Sequence, residues 1–577
     1  MDYLAPGAFH ATQPSTDHFT APKVPMTDSA QRPGAAGFNG VRRIPPTANE
    51  PIRSYAPGSA EKASLKKRLD TMAAERVEIP IIIGGKEFRT GDLGHSVMPH
   101  KHAHILADYH KANPGLVEQA IAASVEAQRE WSQWSWEDRA AVFLKAADLL
   151  AGPWRDTVNA ATMLGQSKTV YQSEIDAACE LIDFWRLNTV YAQEIYHEQP
   201  MSSAGVWNMS DFRALEGFVY AISPFNFTAI GGNLSGSPAL MGNGVVWKPA
   251  ATAMLSSYYV MKVLEEAGLP PGVINFVPGD PVMISDKVLS HRDLAGVHFT
   301  GSTGVFNSMW KTIGGNMSNY RTYPRIVGET GGKDFMIAHP SADAQAFAVG
   351  LVRGAYEYQG QKCSAASRAY VPKSLWPAVR DAALAIIADI RMGDTRDFRN
   401  FMGAVIDKKA FDKISSYLAD AKQNATIIAG GGARGDDGYF IEPTLVQAPS
   451  ADYRLMCEEI FGPVLTVFVY DDDKWLEMLE TVDRTSPYAL TGAVFSNDRH
   501  AVREAMVTLR NAAGNFYIND KCTGAVVGQQ PFGGSRASGT NDKAGSKLNL
   551  LRWVSPRSIK ETFVPPVEYR YPFMGEE

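Results

Sequence analysis

Between residues 206 and 300 short apolar runs alternate with helical ones, and this alternation limits the fold more than any other feature of the chain. Runs 217–222, 245–247, 273–277 and 296–300 are rich in Val, Ile and aromatic residues and read as strands. Residues 232–242 open a helix of small residues, and 256–267 form another. Strands that recur with a helix between them lie parallel, because only a crossover connection can join parallel neighbours. A second such stretch starts near Asp334, with a helix over 342–358, a strand over 367–371 and a helix over 375–390. The predicted fold class is α/β, with two Rossmann-like doubly wound domains.

The rest of the chain must fit around those domains. A length of 577 residues can bury several cores, and two or three large domains suit it better than four small ones. Residues 60–75 read as a charged amphipathic helix with a solvated face, and 79–85 as a short strand ending in Gly-Gly. Residues 114–150 carry two helical stripes, one of Val117, Ala120, Ile121 and Val125, the other of Val142, Ala146 and Leu149. The first 60 residues, with Pro6, Pro14, Pro22, Pro25, Pro33, Pro45 and Pro46, predict an extended or disordered arm. They lack the apolar core of a secretory signal, and as a transit peptide they are poor: Asp2, Asp17 and Asp28 are acidic and no Arg precedes Arg32.

Charge and apolar runs narrow the partners. Lys and Arg number 56 against 62 Asp and Glu, a net charge of −6. No basic excess exists to bind a phosphate backbone, so nucleic acid is not expected as a partner. No run of 18 apolar residues predicts a membrane span. Four Cys are too few for a disulfide scaffold and favour a reducing compartment.

Two motifs invite a wrong reading. Gly430, Gly432 and Gly435 form a G-x-G-x-x-G after a short apolar run. A dinucleotide fingerprint must open a helix, whereas Asp436-Asp437-Gly438-Tyr439 follows, which predicts a hairpin. His100, His102 and His104 could present three imidazoles on one strand face. No Cys or nearby carboxylate completes a tetrahedral set, so a solvated loop or edge is expected and no metal site.

The chemistry concentrates elsewhere. Cys363 follows a helix-like run in Tyr358-Gln-Gly-Gln-Lys-Cys-Ser-Ala, beside Lys362. An electropositive, partly exposed setting lowers a thiol pKa and makes a nucleophile. Cys179 and Cys457 have the neighbours of small buried hydrophobes. Cys522 lies in a Lys-Cys-Thr-Gly loop and reads as exposed, without an activating partner. Glu329 sits in Val-Gly-Glu-Thr-Gly-Gly-Lys, where glycines allow close packing and leave its side chain free to swing. It is either a general base near the thiol or an exposed turn residue. Asn226 ends a strand in Pro-Phe-Asn-Phe and is either an oxyanion donor or a turn former. With Lys248 in Trp-Lys-Pro and the Thr300-Gly-Ser turn, it describes the rim of a nucleotide crevice.

Taken in order, Pro-Phe-Asn-Phe, Trp-Lys-Pro, Phe-Thr-Gly-Ser, Glu-Thr-Gly-Gly-Lys, Gly-Gln-Lys-Cys-Ser, Glu-Glu-Ile-Phe-Gly-Pro and Pro-Phe-Gly-Gly resemble the aldehyde dehydrogenase superfamily, from about Asn49 to the C-terminus. The runs beginning at Ile222, Gly514 and Gly528 are similar to the branch that acts on glutamate γ-semialdehyde. The resemblance implies NAD-dependent oxidation of that aldehyde, in equilibrium with Δ1-pyrroline-5-carboxylate, to L-glutamate, the second step of proline catabolism. It implies Cys363 as nucleophile, Asn226 as oxyanion donor and Glu329 as base. It implies cofactor contacts from Ser223, Phe225, Lys248, Gly279, Gly301, Ser302, Glu459 and Phe461, and substrate contacts from Glu180, Phe227, Lys362, Ser364, Gly524, Ala525 and Phe532.

The sequence departs from the family pattern at three positions. Ala251 replaces the acidic residue of many NAD-preferring relatives, Ala525 replaces a Ser often seen in the anchor loop, and Phe306 replaces a Gly, a change the semialdehyde branch shares. The implied layout is an arm over 1–60, a cofactor domain over 61–186 and 217–330, and a catalytic domain over 331–535. A small β oligomerisation element over 187–216 and 536–577 implies a homodimer. The matrix of mitochondria is the expected address in a eukaryote, the cytoplasm otherwise.

Overall fold

Two seven-stranded sheets organise the chain. The computed structural model describes Gly40 and residues 42–576, and every helix and strand lies in the unit Arg43–Glu577. Of the other unit, Met1–Arg42, only Gly40 and Arg42 are among the described residues. The first sheet runs, edge to edge, Arg325–Glu329, Leu294–Thr300, Phe218–Ile222, Gly244–Lys248, Ile274–Phe276, Ile81–Ile83 and Lys86–Phe88. Its first five strands are parallel, and the last two join antiparallel. From Phe218–Ile222 the chain adds strands in one direction, then crosses back to place Leu294–Thr300 on the other side. The strand order therefore reverses between these two, and a ligand crevice forms outside their C-terminal ends.

Helices cover both faces because the strands are buried on both. Helix Pro114–Trp131 starts on an Asn113 side chain that accepts from Leu116 N–H, with Pro at its first position. Helix Thr228–Leu240 is almost wholly buried, and its small residues let Leu181 of helix Leu181–His197 pack against Gly232. The second sheet runs Thr426–Ala429, Thr444–Gln447, Val464–Tyr470, Ala366–Pro372, Asp334–Ala338, Thr491–Phe495 and Asn515–Ile518. All its pairs are parallel except the first. The α/β, doubly wound class is thus the fold class of the chain.

A two-stranded ribbon stands beside the sheets. Val206–Ala214 pairs antiparallel with Val554–Thr562 along its whole length. Trp553, just before the ribbon, is fully buried and lies 4.7 Å from the His298 ring of the first sheet. Residues 187–197 finish the buried helix Leu181–His197, and Gly539 bridges to Glu329.

Four expectations need correction. The strand expected over 79–85 is two strands in different sheets, Val77–Ile79 and Ile81–Ile83, because Pro80 between them has no N–H to continue a ladder. The His motif is neither a solvated loop nor an edge: Lys101–His110 is the central strand of a three-stranded sheet, and His100 is buried against Asp394 at 3.4 Å. Burial holds the His100 imidazole at about 4, so it is neutral near pH 7. The small-residue helix begins at Thr228, not 232. Much of the expected arm, 1–39 and 41, lies outside the described residues; the described part, 42–59, is not disordered but extended and pinned, with Tyr55 buried. The G-x-G-x-x-G at Gly430 opens no helix; Ala433–Arg434 pairs with Phe440–Ile441 as a hairpin.

Candidate active site

The C-terminal ends of the first sheet's strands gather the expected crevice. Ser223 and Phe225 follow Phe218–Ile222, Lys248 ends Gly244–Lys248, and Gly279 follows Ile274–Phe276. Gly301 and Ser302 follow Leu294–Thr300, on the far side of the strand-order reversal. Ser302 caps helix Thr303–Gly315, its hydroxyl accepting from Val305 N–H at 3.4 Å. The Ser223 hydroxyl accepts from Trp247 Nε1 at 3.0 Å, which fixes that turn. Lys248 is buried, and burial pulls its ammonium down to about 8. Phe461 meets Phe225 edge-to-face at 5.9 Å. Glu459 accepts from Gly332 N–H at 2.9 Å, and burial raises its carboxyl.

Cys363 reaches this rim on a strained turn. After helix Ala344–Tyr356, Tyr358, Gln359 and Gly360 are all left-handed, with φ of 52°, 56° and 65°. Non-glycine residues hold such angles only when neighbours over-determine them. Gln359 donates to Ser167 O (3.1 Å) and Ala404 O (2.7 Å) and accepts from Gly403 N–H (2.9 Å). Gln361 accepts from Ile406 N–H at 2.9 Å, and its carbonyl accepts from Asn226 Nδ2 at 3.1 Å. Asn226 is thereby tethered two residues before the thiol. An amide has two N–H donors, so one is left for a ligand.

Glu329 ends strand Arg325–Glu329 and bridges Gly539, with Thr330 N–H donating to Ser538 O at 3.0 Å. The glycines after it serve close approach more than freedom. A Cβ on Gly331 would lie 2.6 Å from the Glu459 carboxylate, and one on Gly332 would collide with the Cys363 carbonyl oxygen. Burial pushes the Glu329 carboxyl up to about 8, against the pull of Lys543.

One cavity of about 470 Å³ joins Cys363 and Glu329 to Glu180, Phe227, Lys362, Ser364, Gly524, Ala525 and Phe532. Every residue expected at the substrate end therefore lines one space, with the thiol and the carboxylate. The electropositive setting expected for the thiol is not there. Burial raises the Cys363 thiol well above its usual value, and the charges of Glu329, Asp334, Glu459 and Glu180 raise it further. Lys362 does not offset this, because its buried ammonium is paired with Glu357 at 3.1 Å. Cys522 is fully buried rather than exposed, its Sγ 3.4 Å from Ser364 O. Cys457 is partly exposed rather than buried, and Cys179 is buried as expected. The Ser364 hydroxyl shares a hydrogen bond with Thr523 at 2.8 Å.

Several supports of the site were not legible in the sequence. Residues Glu174–Glu180 form a π-helix, a rare element that often marks functional sites. Within it Asp176 receives both Thr228 N–H (3.0 Å) and Ala229 N–H (2.8 Å), so it caps helix Thr228–Leu240 from outside. Lys168 neutralises Asp176 at 2.6 Å and lies 4.0 Å above the Phe227 ring. The pair lies eight residues apart in sequence, a spacing with no signature of its own. Asp334, buried and raised to about 8, accepts from Thr491 N–H at 2.7 Å.

The aldehyde dehydrogenase family model matches residues 90–559. The chain belongs to the aldehyde dehydrogenase family. Within that family it is 54% identical to the mitochondrial delta-1-pyrroline-5-carboxylate dehydrogenase of Dictyostelium discoideum over 536 residues, 92% of this chain and 96% of that one. It is 51% identical to the Homo sapiens protein of the same name over 530 residues, 91% of this chain and 94% of the other. The delta-pyrroline-5-carboxylate dehydrogenase of Mycobacterium tuberculosis, solved bound with NAD, superposes with a TM-score of 0.90 at 50% identity, covering 93% of this chain and all of that one. Among the described residues no helix is long and apolar enough to cross a membrane.

Proposed function

We propose that this chain oxidises L-glutamate γ-semialdehyde, the open form of Δ1-pyrroline-5-carboxylate, to L-glutamate with NAD+. The observation that carries the reading is the single cavity in which Cys363, Glu329 and the Gly524–Ala525 turn meet. Relatives about 50% identical over most of the chain bear that activity in their names, which supports it.

The residues present fit the dinucleotide. Lys248 holds a buried ammonium at the crevice rim, a donor suited to ribose hydroxyls. Glu459 offers a carboxylate for the other ribose, with Phe461 beside it, and Ser302 stands at a helix N-terminus that favours phosphate. Ala251 leaves no carboxylate at its position to reject a 2′-phosphate. NAD, when bound, supplies the hydride acceptor.

The rest is the protein's work. The Cys363 thiol, raised by burial, must lose its proton, and Glu329 is the base whose charge it feels most. The thiolate sulfur then bonds the aldehyde carbon, and the carbonyl electrons move to oxygen. Asn226 and the Cys363 backbone N–H hold that oxyanion. Loss of hydride from the same carbon leaves a thioester. Glu329 releases the thiol's proton to solvent and, ionised again, takes a proton from water, whose oxygen adds to the thioester carbon, and the Cys363 thiolate leaves. Gly524, Ala525 and Ser364 donate to the amino-acid carboxylate, with Phe532 and Phe227 on its aliphatic part.

Two further parts belong to the proposal. The ribbon Val206–Ala214 with Val554–Thr562 is the core of a homodimer contact, and the address in a eukaryote is mitochondrial, as several relatives' names are. The test is nicotinamide reduction followed by absorbance, with pyrroline-5-carboxylate and with simple aliphatic aldehydes, each with NAD and NADP. Turnover of pyrroline-5-carboxylate in preference to the others supports the reading; turnover of aliphatic aldehydes alone overturns it.

A further inference from the structure

The cavity has a wall that the chemistry above does not use. Asn49, Glu50 and Ile52 line it, although they lie in the extended N-terminal segment and far in sequence from every other lining residue. Asn49 is held from three sides. Its Nδ2 donates to Asp183 Oδ2 and to Val527 O, both at 2.8 Å, and its Oδ1 accepts from Gln529 Nε2 at 2.9 Å. Val527 and Gln529 belong to the loop that begins with Gly524 and Ala525, and Gln530 closes that loop on itself by accepting from Val526 N–H at 2.9 Å.

The segment is built to stay. Glu50 N–H donates to Asp183 Oδ1 at 2.7 Å, and Arg53 N–H to Glu174 Oε1 at 2.9 Å. Glu50 would repel an anionic substrate if left bare. Its carboxylate is instead neutralised by Arg155 at 2.5 Å and Arg186 at 2.7 Å. Tyr55, buried, donates to Glu174 at 2.8 Å and anchors the far end. A segment tied this heavily to the cavity wall restricts what fits inside.

We infer that residues 49–52 are a specificity-determining wall of the substrate cavity, with Asn49 a positioning residue that locks the loop 524–530 in the shape that receives an amino-acid head group. The inference rests on the substrate reading above. The wall favours a short aldehyde ending in an α-amino carboxylate and excludes longer unbranched aldehydes. Losing the loop's tether misplaces donors that hold the head group, an effect on binding more than on bond making.

Two variants cut the tether from opposite sides, Asn49→Ala and Gln529→Ala, so a folding failure in one leaves the other. Two readouts are needed. The first is the KM and kcat for pyrroline-5-carboxylate beside those for a longer aliphatic aldehyde. The second is alkylation of Cys363, followed by peptide mass, with small iodoacetamide and with a bulky maleimide. The expected result is a rise in KM for pyrroline-5-carboxylate of about tenfold, the value of roughly one or two hydrogen bonds, with a smaller change in kcat. Preference over the aliphatic aldehyde falls by a similar factor, and the bulky reagent gains on the small one. Folded variants with unaltered preference and an unaltered ratio of alkylation rates overturn the inference. If the unmodified protein fails to turn over pyrroline-5-carboxylate, the substrate reading falls, while the alkylation ratio still decides whether the segment walls the cavity.

Discussion

At the scale of single residues, the site is governed by burial more than by attraction between charges. Glu329 and Cys363 share a cavity in which burial raises the proton affinity of both, and the Glu329 charge raises that of the thiol further. The thiol is therefore protonated near neutrality in the protein alone, and a base must act on it. Glu329, raised to about 8 from an ordinary carboxyl value, can serve as that base only in its ionised form. Below about 8 it carries a proton and cannot accept one; above, it can. Steady-state turnover is therefore expected to climb with pH through that region, as an initial-rate profile at saturating substrate will show. Glu329→Gln removes the limb and lowers kcat by roughly a hundredfold to ten-thousandfold, the usual range for a general base. A Gln variant that keeps the limb assigns it to another group.

At the scale of elements, the strand-end motifs were readable because chemistry and secondary structure coincide there. Pro-Phe-Asn-Phe, Trp-Lys-Pro and Phe-Thr-Gly-Ser each close a parallel strand, so apolar runs located them. What failed to show was long-range packing. Pro80 split one expected strand between two sheets, and Cys522, in a polar loop, is buried by the second sheet's packing. The Lys168–Asp176 pair was hidden for the same reason: its value lies in helix Thr228–Leu240, which it reaches only in the fold. Both side chains are buried, so removing one leaves the other's charge uncompensated. Asp176→Ala is expected to cost about 3–5 kcal/mol in denaturant unfolding. A loss below about 1 kcal/mol, the value of an exposed pair, would show that water already screens the pair.

At the scale of the whole molecule, residues from both sheets' strand ends line one cavity, and segments remote in sequence, such as Asn49–Ile52, complete its lining. Lys248, Gly301 and Ser302 lie at strand ends of the first sheet, whereas Cys363, Glu459 and Phe461 precede strands of the second, so neither stretch alone disclosed the site. The ribbon Val206–Ala214 with Val554–Thr562 has open edges and an exposed Trp207, features that a partner would cover. Light scattering is expected to give twice the 62.9 kDa of one chain, and a monomer mass at micromolar concentration would remove the proposed dimer. In the proposed reaction Cys363 carries the acyl group that Glu329 helps to release. Rapid-mixing absorbance of nicotinamide reduction, with pyrroline-5-carboxylate and Glu329→Gln, tests it most directly. The expected trace is about one equivalent of reduced nicotinamide per site, formed more slowly than in the unmodified protein because the thiol has lost its base, then turnover slower still, with neither phase in Cys363→Ser. Undiminished turnover by Cys363→Ser or by Glu329→Gln would contradict it.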